Sequence, residues 1–290
     1  MSKISFSNSQ ALSGGGTTEN PWKVLQQFTQ ARIGLGRAGV SIPTKELLEF
    51  QLSHAQAKDA VHQPLDIDKL QQDLEQLEST LLPKTVEVVQ SRASDRFIYL
   101  QRPDLGRRLS KDSKTYIEEH YSGNQDMVCD LAIAVVDGLS SKAIETNTLP
   151  FLQALLDLMA NETQQDWTLA PITIVKQGRV AIGDEIGELF NAKTVLVLVG
   201  ERPGLSSPDS LGLYLTWNPH IGLTDAFRNC ISNIRPEGLN YKEAAKRALF
   251  LLQESRRLKL SGVNLKDRSD EKVIEHSSDT GNFLVNTLDK

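Results

Sequence analysis

Few residues in this sequence have both the type and the spacing that chemistry needs. Cys129 and Cys230 are its 2 cysteines and its 5 histidines are scattered, a pattern that offers neither a disulfide framework nor the paired spacing of a zinc site. Both cysteines sit in apolar, strand-like runs, which fits a reducing, intracellular compartment. Gly34-Leu35-Gly36-Arg37-Ala38-Gly39 spells G-x-G-x-x-G. A dinucleotide loop of that type needs a strand before it and a helix opening at it, so that backbone N–H groups meet the pyrophosphate. Here a helix-forming segment precedes and Ser41-Ile42-Pro43 follows, so the stretch reads as a glycine-rich loop between helices. Arg102, Arg107 and Arg108 cluster in QRPDLGRRL, the pattern of a solvated or ion-paired helix start that also suits a subunit or phosphate contact. No Walker-type phosphate loop, G-x-S-x-G elbow or H-E-x-x-H helix is present. These residues alone predict no catalytic group and no metal ligand on this chain.

The elements that must position any site follow from composition and periodicity. The chain has 290 residues, 39% of them hydrophobic, and a net charge of −5. That is enough apolar material for a core and the wrong sign for a general nucleic-acid binder. No apolar run reaches the ~20 residues of a membrane span, and the N-terminus lacks the apolar stretch of a secretion signal. Residues 1–19 read as a flexible tail and 20–123 as a mainly helical N-terminal domain. Residues 124–266 read as a Rossmann-like domain and 267–290 as a mobile extension.

In the first half, helices are expected from Asn20–Pro21, from Thr44, from Asp66 to Pro83, and over PDLGRRLSKDSKTYIEEHYSG to Gly123. TVEVVQS and DRFIYLQ read as strands. In the second half MVCDLAIAVV, ITIVKQ, TVLVLVG, LGLYLTW and CISNI read as strands. They alternate with helical segments, one of them running to Glu162 with an interruption at Pro150. Strands apolar on both faces predict an α/β fold with a largely parallel sheet covered by helices. In such sheets ligands bind beyond the carboxyl ends of the strands, so the loops DGLS, GRV and GERPG and the region around CISNI are where function is expected. Asp137 suits a helix cap or a hold on Ser140.

DGLSSKAI, QGRVAIGDEIGE, LVLVGERPGL, CISNI and LKLSGVN, in this order and with the earlier GRAG and RPDLGRRL, resemble the small subunit (light chain) of ethanolamine ammonia-lyase over residues 20–265. The resemblance implies a subunit of an adenosylcobalamin-dependent lyase that converts ethanolamine to acetaldehyde and ammonia by radical chemistry. It implies a large barrel-type partner subunit that carries the catalytic groups, and a higher hetero-oligomer. It places Val180, Glu201 and Cys230 at positions that contact the cobalamin, with Arg202 in the same loop. Val180 would pack on the corrin edge, Glu201 would meet a corrin amide, and Cys230 would serve as a small, buried, polarisable group that does not ligate cobalt.

Glu118-x-His120-x-x-Gly123 differs by one methylene from the D-x-H-x-x-G motif whose histidine replaces the nucleotide base beneath cobalt. That motif follows a strand, whereas this one ends a helix, so the cofactor is expected base-on. Some family members begin with an amphipathic helix that directs packing into a protein-shelled microcompartment. MSKISFSNSQALSGGGTTEN shows no such apolar stripe, and the expected location is the cytoplasm, outside any membrane. Two other readings stay open: a stand-alone α/β nucleotide-binding regulatory module, and a non-catalytic scaffold that keeps the fold.

Overall fold

A computed structural model of the chain describes residues 20–121, 129–162 and 166–269. The expected N-terminal tail, the stop at Gly123 and residues 270–290 of the expected extension lie outside these. The chain divides into two compact units, 1–56 and 57–290.

In the first unit Pro21–Gln27 winds as a 3-10 helix where an α-helix is expected. The Asn20 side chain accepts from Trp22 N at 3.1 Å and donates to Gly34 O at 2.8 Å, which pins the helix start to the glycine-rich loop. Ala38 and Ser41 then pair in an isolated bridge before helix α1 (Thr44–His62) begins. The G-x-G-x-x-G stretch therefore has no strand before it among the described residues. Trp22, Phe28, Val40 and Ile42 of this unit are exposed.

The second unit is built on six strands: β1 (Val86–Gln90), β2 (Cys129–Val136), β3 (Ile172–Lys176), β4 (Ala192–Gly200), β5 (Leu211–Trp217) and β6 (Arg228–Ile234). They form one sheet in the order β1-β3-β2-β4-β5-β6. β1, β3, β2 and β4 are parallel, and β5 and β6 add antiparallel to β4. The fold is α/β and largely parallel, as the doubly apolar runs require. β1 comes from the stretch that composition groups with the helical N-terminal region.

Helices α5 (Ser141–Ala160) and α7 (Tyr241–Leu258) cover one face. Leu131, Ile133 and Val135 of β2 pack there with Leu196 and Leu198 of β4 and Leu211, Leu213 and Leu215 of β5. Each such burial is worth about 1.5–3 kcal/mol. On the other face α6 (Ile182–Leu189) lies on β4 and β2, and Ile182 and Ile186 meet Ala132, Ala134, Val136, Val195 and Val197. Small residues let α6 approach closely. A Cβ on Gly183 would stand 2.2 Å from Val197 Cγ2, and one on Gly187 2.4 Å from Pro219 Cγ.

Four elements of this unit depart from expectation. DRFIYLQ is not a strand but helix α3 (Arg96–Gln101). The Asp95 carboxylate accepts from Ile98 N at 2.9 Å, and this cap sets the chain turning. In RPDLGRRL only Leu105–Arg107 turns, as a 3-10 helix, and Leu109 bridges Ser91 beside the sheet edge. Helix α4 (Lys111–Tyr121) starts only after that bridge. Pro150 does not interrupt α5, because Phe151, Leu152, Leu155 and Leu156 are buried and hold the helix through it. The helix α2 (Ile67–Glu75), capped by Asp66, ends well before Pro83.

Gly183→Ala forces a methyl into the Val197 side chain and should destabilise the chain by about 1–3 kcal/mol, the usual penalty of overpacking. Urea unfolding followed by circular dichroism measures it.

Candidate functional site

The crevice between β2 and β4, where the strand order reverses, is the position a sheet of this type offers first to a ligand. Here backbone fills it. Gly138 has φ +58°, and a Cβ on it would stand 2.3 Å from Gly200 O. Leu139 N donates to Gly200 O at 2.8 Å, and a Cβ on Gly200 would stand 2.0 Å from Ser140 O. The two loops are thus sewn together at the top of the sheet. Ser140 caps α5 by accepting from Ala143 N at 3.1 Å, and its hydroxyl donates to Pro208 O at 2.7 Å. That contact lays the loop 201–210 over the start of α5.

Asp137 therefore does not cap the helix. Its carboxylate accepts from Gln177 N at 2.9 Å and Gly178 N at 3.1 Å, tying the β2 loop to the β3 loop. Arg96 completes the tie: Nη1 lies 3.6 Å from Asp137 Oδ2 and donates to Gly138 O at 2.7 Å. Tyr99 OH donates to Gly178 O at 3.0 Å, and the Arg179 guanidinium stacks 4.3 Å from the Tyr99 ring centroid. Burial pushes the Asp137 carboxyl up to about 6, against the lowering effect of those backbone donors and Arg96. The basic cluster is also absorbed into structure. Arg108 forms a bidentate pair with Glu185 at 3.0 and 3.1 Å, while Arg102 pairs with Asp104 on the surface.

The open surface is the α6-side face of β5 and β6. α6 covers β2 and β4, and it is tied to β6 only low on the strand, where Arg228 pairs with Asp184 at 2.6 and 2.8 Å. Of the sequence-predicted residues, Glu201 and Cys230 lie on this face. Val180 is half-buried just before α6 and packs on the valine and alanine cluster there. Glu201 directly follows β4, and its carboxylate lies over Gly212 of β5, where a Cβ would stand 2.9 Å from Glu201 Oε1. Oε2 accepts from Ser210 Oγ and from Asn233 N at 3.3 Å, leaving Oε1 without a bond among the described residues.

Cys230 pairs across the strands with Tyr214, two residues beyond Gly212 on the same face. It is exposed, not buried as expected, because Ile231 takes the inward position and the strand alternates. Even so, neighbouring atoms desolvate the thiol enough to hold it above its ordinary value, with the Tyr214 hydroxyl opposing and Glu201 reinforcing that rise. Arg202 is exposed in the loop beside Glu201. Periodicity misses Ser210, Gly212, Tyr214 and Asn233. The one signal for them is the alternation in LGLYLTW, where Gly212, Tyr214 and Thr216 oppose the leucines.

No group of three or more His, Cys, Asp or Glu is arranged to hold a metal among the described residues. His120 sits on α4, its Nδ1 2.8 Å from Tyr116 O, and α4 leads toward the amino end of β2, away from the rim. His220 follows β5 near Lys193 at the start of β4 and so lies at that same end. No described helix is long and apolar enough to cross a membrane.

The fold is a doubly wound α/β sheet whose antiparallel extension, β5 and β6, presents one strand face that α6 does not cover. The family model described as ethanolamine ammonia-lyase light chain matches residues 19–266. The ethanolamine ammonia-lyase small subunit of Pseudomonas aeruginosa (strain UCBPP-PA14) is 53% identical, over 93% of this chain and 96% of its own length. That of Pseudomonas putida (strain W619) is 51% identical, over 93% of this chain and 97% of its own. The chain belongs to the ethanolamine ammonia-lyase light chain family and is the small subunit of a lyase.

Asp137 gives a pH signature. Its folded value lies above the ordinary 3.8, so the folded state holds a proton that the unfolded chain releases between about pH 4 and 6. Stability from this group is complete below pH 4 and is lost as pH rises through 6. Against Asp137→Asn, which cannot titrate, wild type should lose on the order of 2–3 kcal/mol of relative stability between pH 4 and 7. Urea titrations of both proteins across that range measure it.

Proposed function

We propose that this chain holds one side of an adenosylcobalamin against the large subunit of an ethanolamine ammonia-lyase, for the conversion of ethanolamine to acetaldehyde and ammonia. The observation that supports the reading is that Glu201 and Cys230 lie on one face of strands that α6 leaves open, with Val180 in the loop that leads into α6. A corrin ring is broad and nearly flat, with an apolar edge and projecting carboxamides. The residues fit such a group: Gly212 leaves the Glu201 carboxylate room to lie flat, and Oε1 is free to accept from an amide N–H. Val180 offers a branched apolar contact, Cys230 a small polarisable one, and Arg202 a cation at the loop edge.

The cofactor, when bound, supplies radical chemistry. The work of this chain is to bind, to orient and to exclude water from one side of the site. The catalytic groups belong to the large subunit. On this reading the cofactor would be held base-on, with no residue of this chain ligating its cobalt. The exposed Trp22, Phe28, Val40 and Ile42 suit a surface that a partner covers in a larger hetero-oligomer, assembled in the cytoplasm. Microcompartment packaging would depend on residues before 20.

Co-expression with a large subunit should yield a complex that releases ammonia from ethanolamine with adenosylcobalamin, whereas the chain alone binds cobalamin weakly. Tight cobalamin binding by the isolated chain contradicts the shared site. In the complex, Glu201→Ala should raise the Kd for adenosylcobalamin about 10- to 100-fold, the worth of a hydrogen bond to a charged group. The cobalt(II) form should give an electron paramagnetic resonance spectrum that does not change when histidines carry nitrogen-15.

A further inference from the structure

The Glu201 carboxylate is oriented before any ligand arrives. Oε2 is occupied by Ser210 Oγ and Asn233 N, and Oε1 stands over Gly212 with no partner among the described residues. Two residues along β5, the same face carries Tyr214, whose ring is half-buried against the α6-side cluster. Its hydroxyl lies beside the Cys230 thiol across the strand pair. Same-face neighbours on a strand stand about 7 Å apart. A primary carboxamide carries a donor and an acceptor side by side, so it can bond an acceptor and a donor that share one strand face.

The geometry points to Tyr214 as a cofactor-binding residue that works with Glu201: Glu201 Oε1 accepts the N–H, and Tyr214 OH donates to the C=O, of one peripheral carboxamide of the corrin. This rests on the cobalamin reading above and adds to it a residue, a ligand group and a basis for selectivity. A carboxylate can only accept, and the Tyr214 phenol, now beside the Cys230 thiol, can turn its proton toward a ligand acceptor. The pair therefore fits an amide and opposes an acid of the same shape, which would set one negative charge against another. Burial, with the negative groups nearby, holds the Tyr214 hydroxyl above its ordinary value, so the donor keeps its proton at any working pH. Ser210 and Gly212 are positioning residues: one holds Oε2, and the other leaves the space in which the carboxylate lies.

The test uses the assembled two-subunit complex and the binding of cyanocobalamin and its monocarboxylic derivatives, each with one peripheral carboxamide converted to the acid, followed by absorbance. One acid isomer should bind at least about tenfold more weakly than its siblings. Glu201→Gln, which removes the charge and can donate, should restore that isomer to the level of the others. Tyr214→Phe should weaken cyanocobalamin about 2- to 10-fold, the value of one neutral hydrogen bond. That loss should shrink for the singled-out acid. If all isomers bind wild type alike while cyanocobalamin binds well, the carboxamide pair is wrong and the cobalamin site stands. If the folded complex binds no cobalamin, the site itself is wrong. The isomer series on wild type and Glu201→Gln decides the matter even if Tyr214→Phe does not fold.

Discussion

The reach of one helix shapes this molecule. Gly183 and Gly187 let α6 sink against Val195, Val197 and Pro219, and in that seat it seals β2 and β4 without extending across β5 and β6. The opposite face has no such gap, because α5 and α7 together bury Leu211, Leu213, Leu215, Ile231 and Ile234. The antiparallel pair is thus anchored by a full hydrophobic face below and left open above. An open strand face beside a close-packed helix is a rigid surface, and rigidity lets a surface hold a ligand without a large ordering cost.

The polar groups around that surface divide by task. Asp137, Arg96 and Tyr99 bind the β2 and β3 loops to each other, and Gly138 against Gly200 binds β2 to β4. Arg228 with Asp184 and Arg108 with Glu185 fix α6 at its first turn. Both α6 carboxylates are almost completely buried, so removing either arginine leaves a charge without its partner, a loss of about 3–5 kcal/mol in typical buried pairs. Glu201 at the rim has one oxygen held by Ser210 and Asn233 and one held by nothing described.

The second half of the chain is largely legible as sequence, since parallel strands buried on both faces appear as unbroken apolar runs such as LAIAVV and TVLVLVG. The direction of LGLYLTW and CISNI is not legible. The segment between β5 and β6 carries no short hairpin signal, and the antiparallel register emerges only from the pairing of β5 with β4 and with β6. DRFIYLQ is a short apolar, aromatic-rich run like a buried strand, yet the Asp95 cap makes it helical. Cys230 looks buried beside Ile231, but neighbours on a strand face opposite ways, so the isoleucine's burial exposes the cysteine. Val180 and Glu201 are nameable only through family resemblance. That Glu201 lies near Tyr214 depends on β5 pairing with β4, a contact between distant segments that local spacing does not encode.

Alkylation of the two cysteines in the assembled complex tests the central claim most directly, because Cys230 is exposed on the proposed surface and Cys129 is half-buried far from it. With the partner subunit present, saturating adenosylcobalamin should slow modification of Cys230 several-fold and leave Cys129 unchanged. An unaltered Cys230 rate while the cofactor is demonstrably bound would place the corrin somewhere other than the open face of β5 and β6.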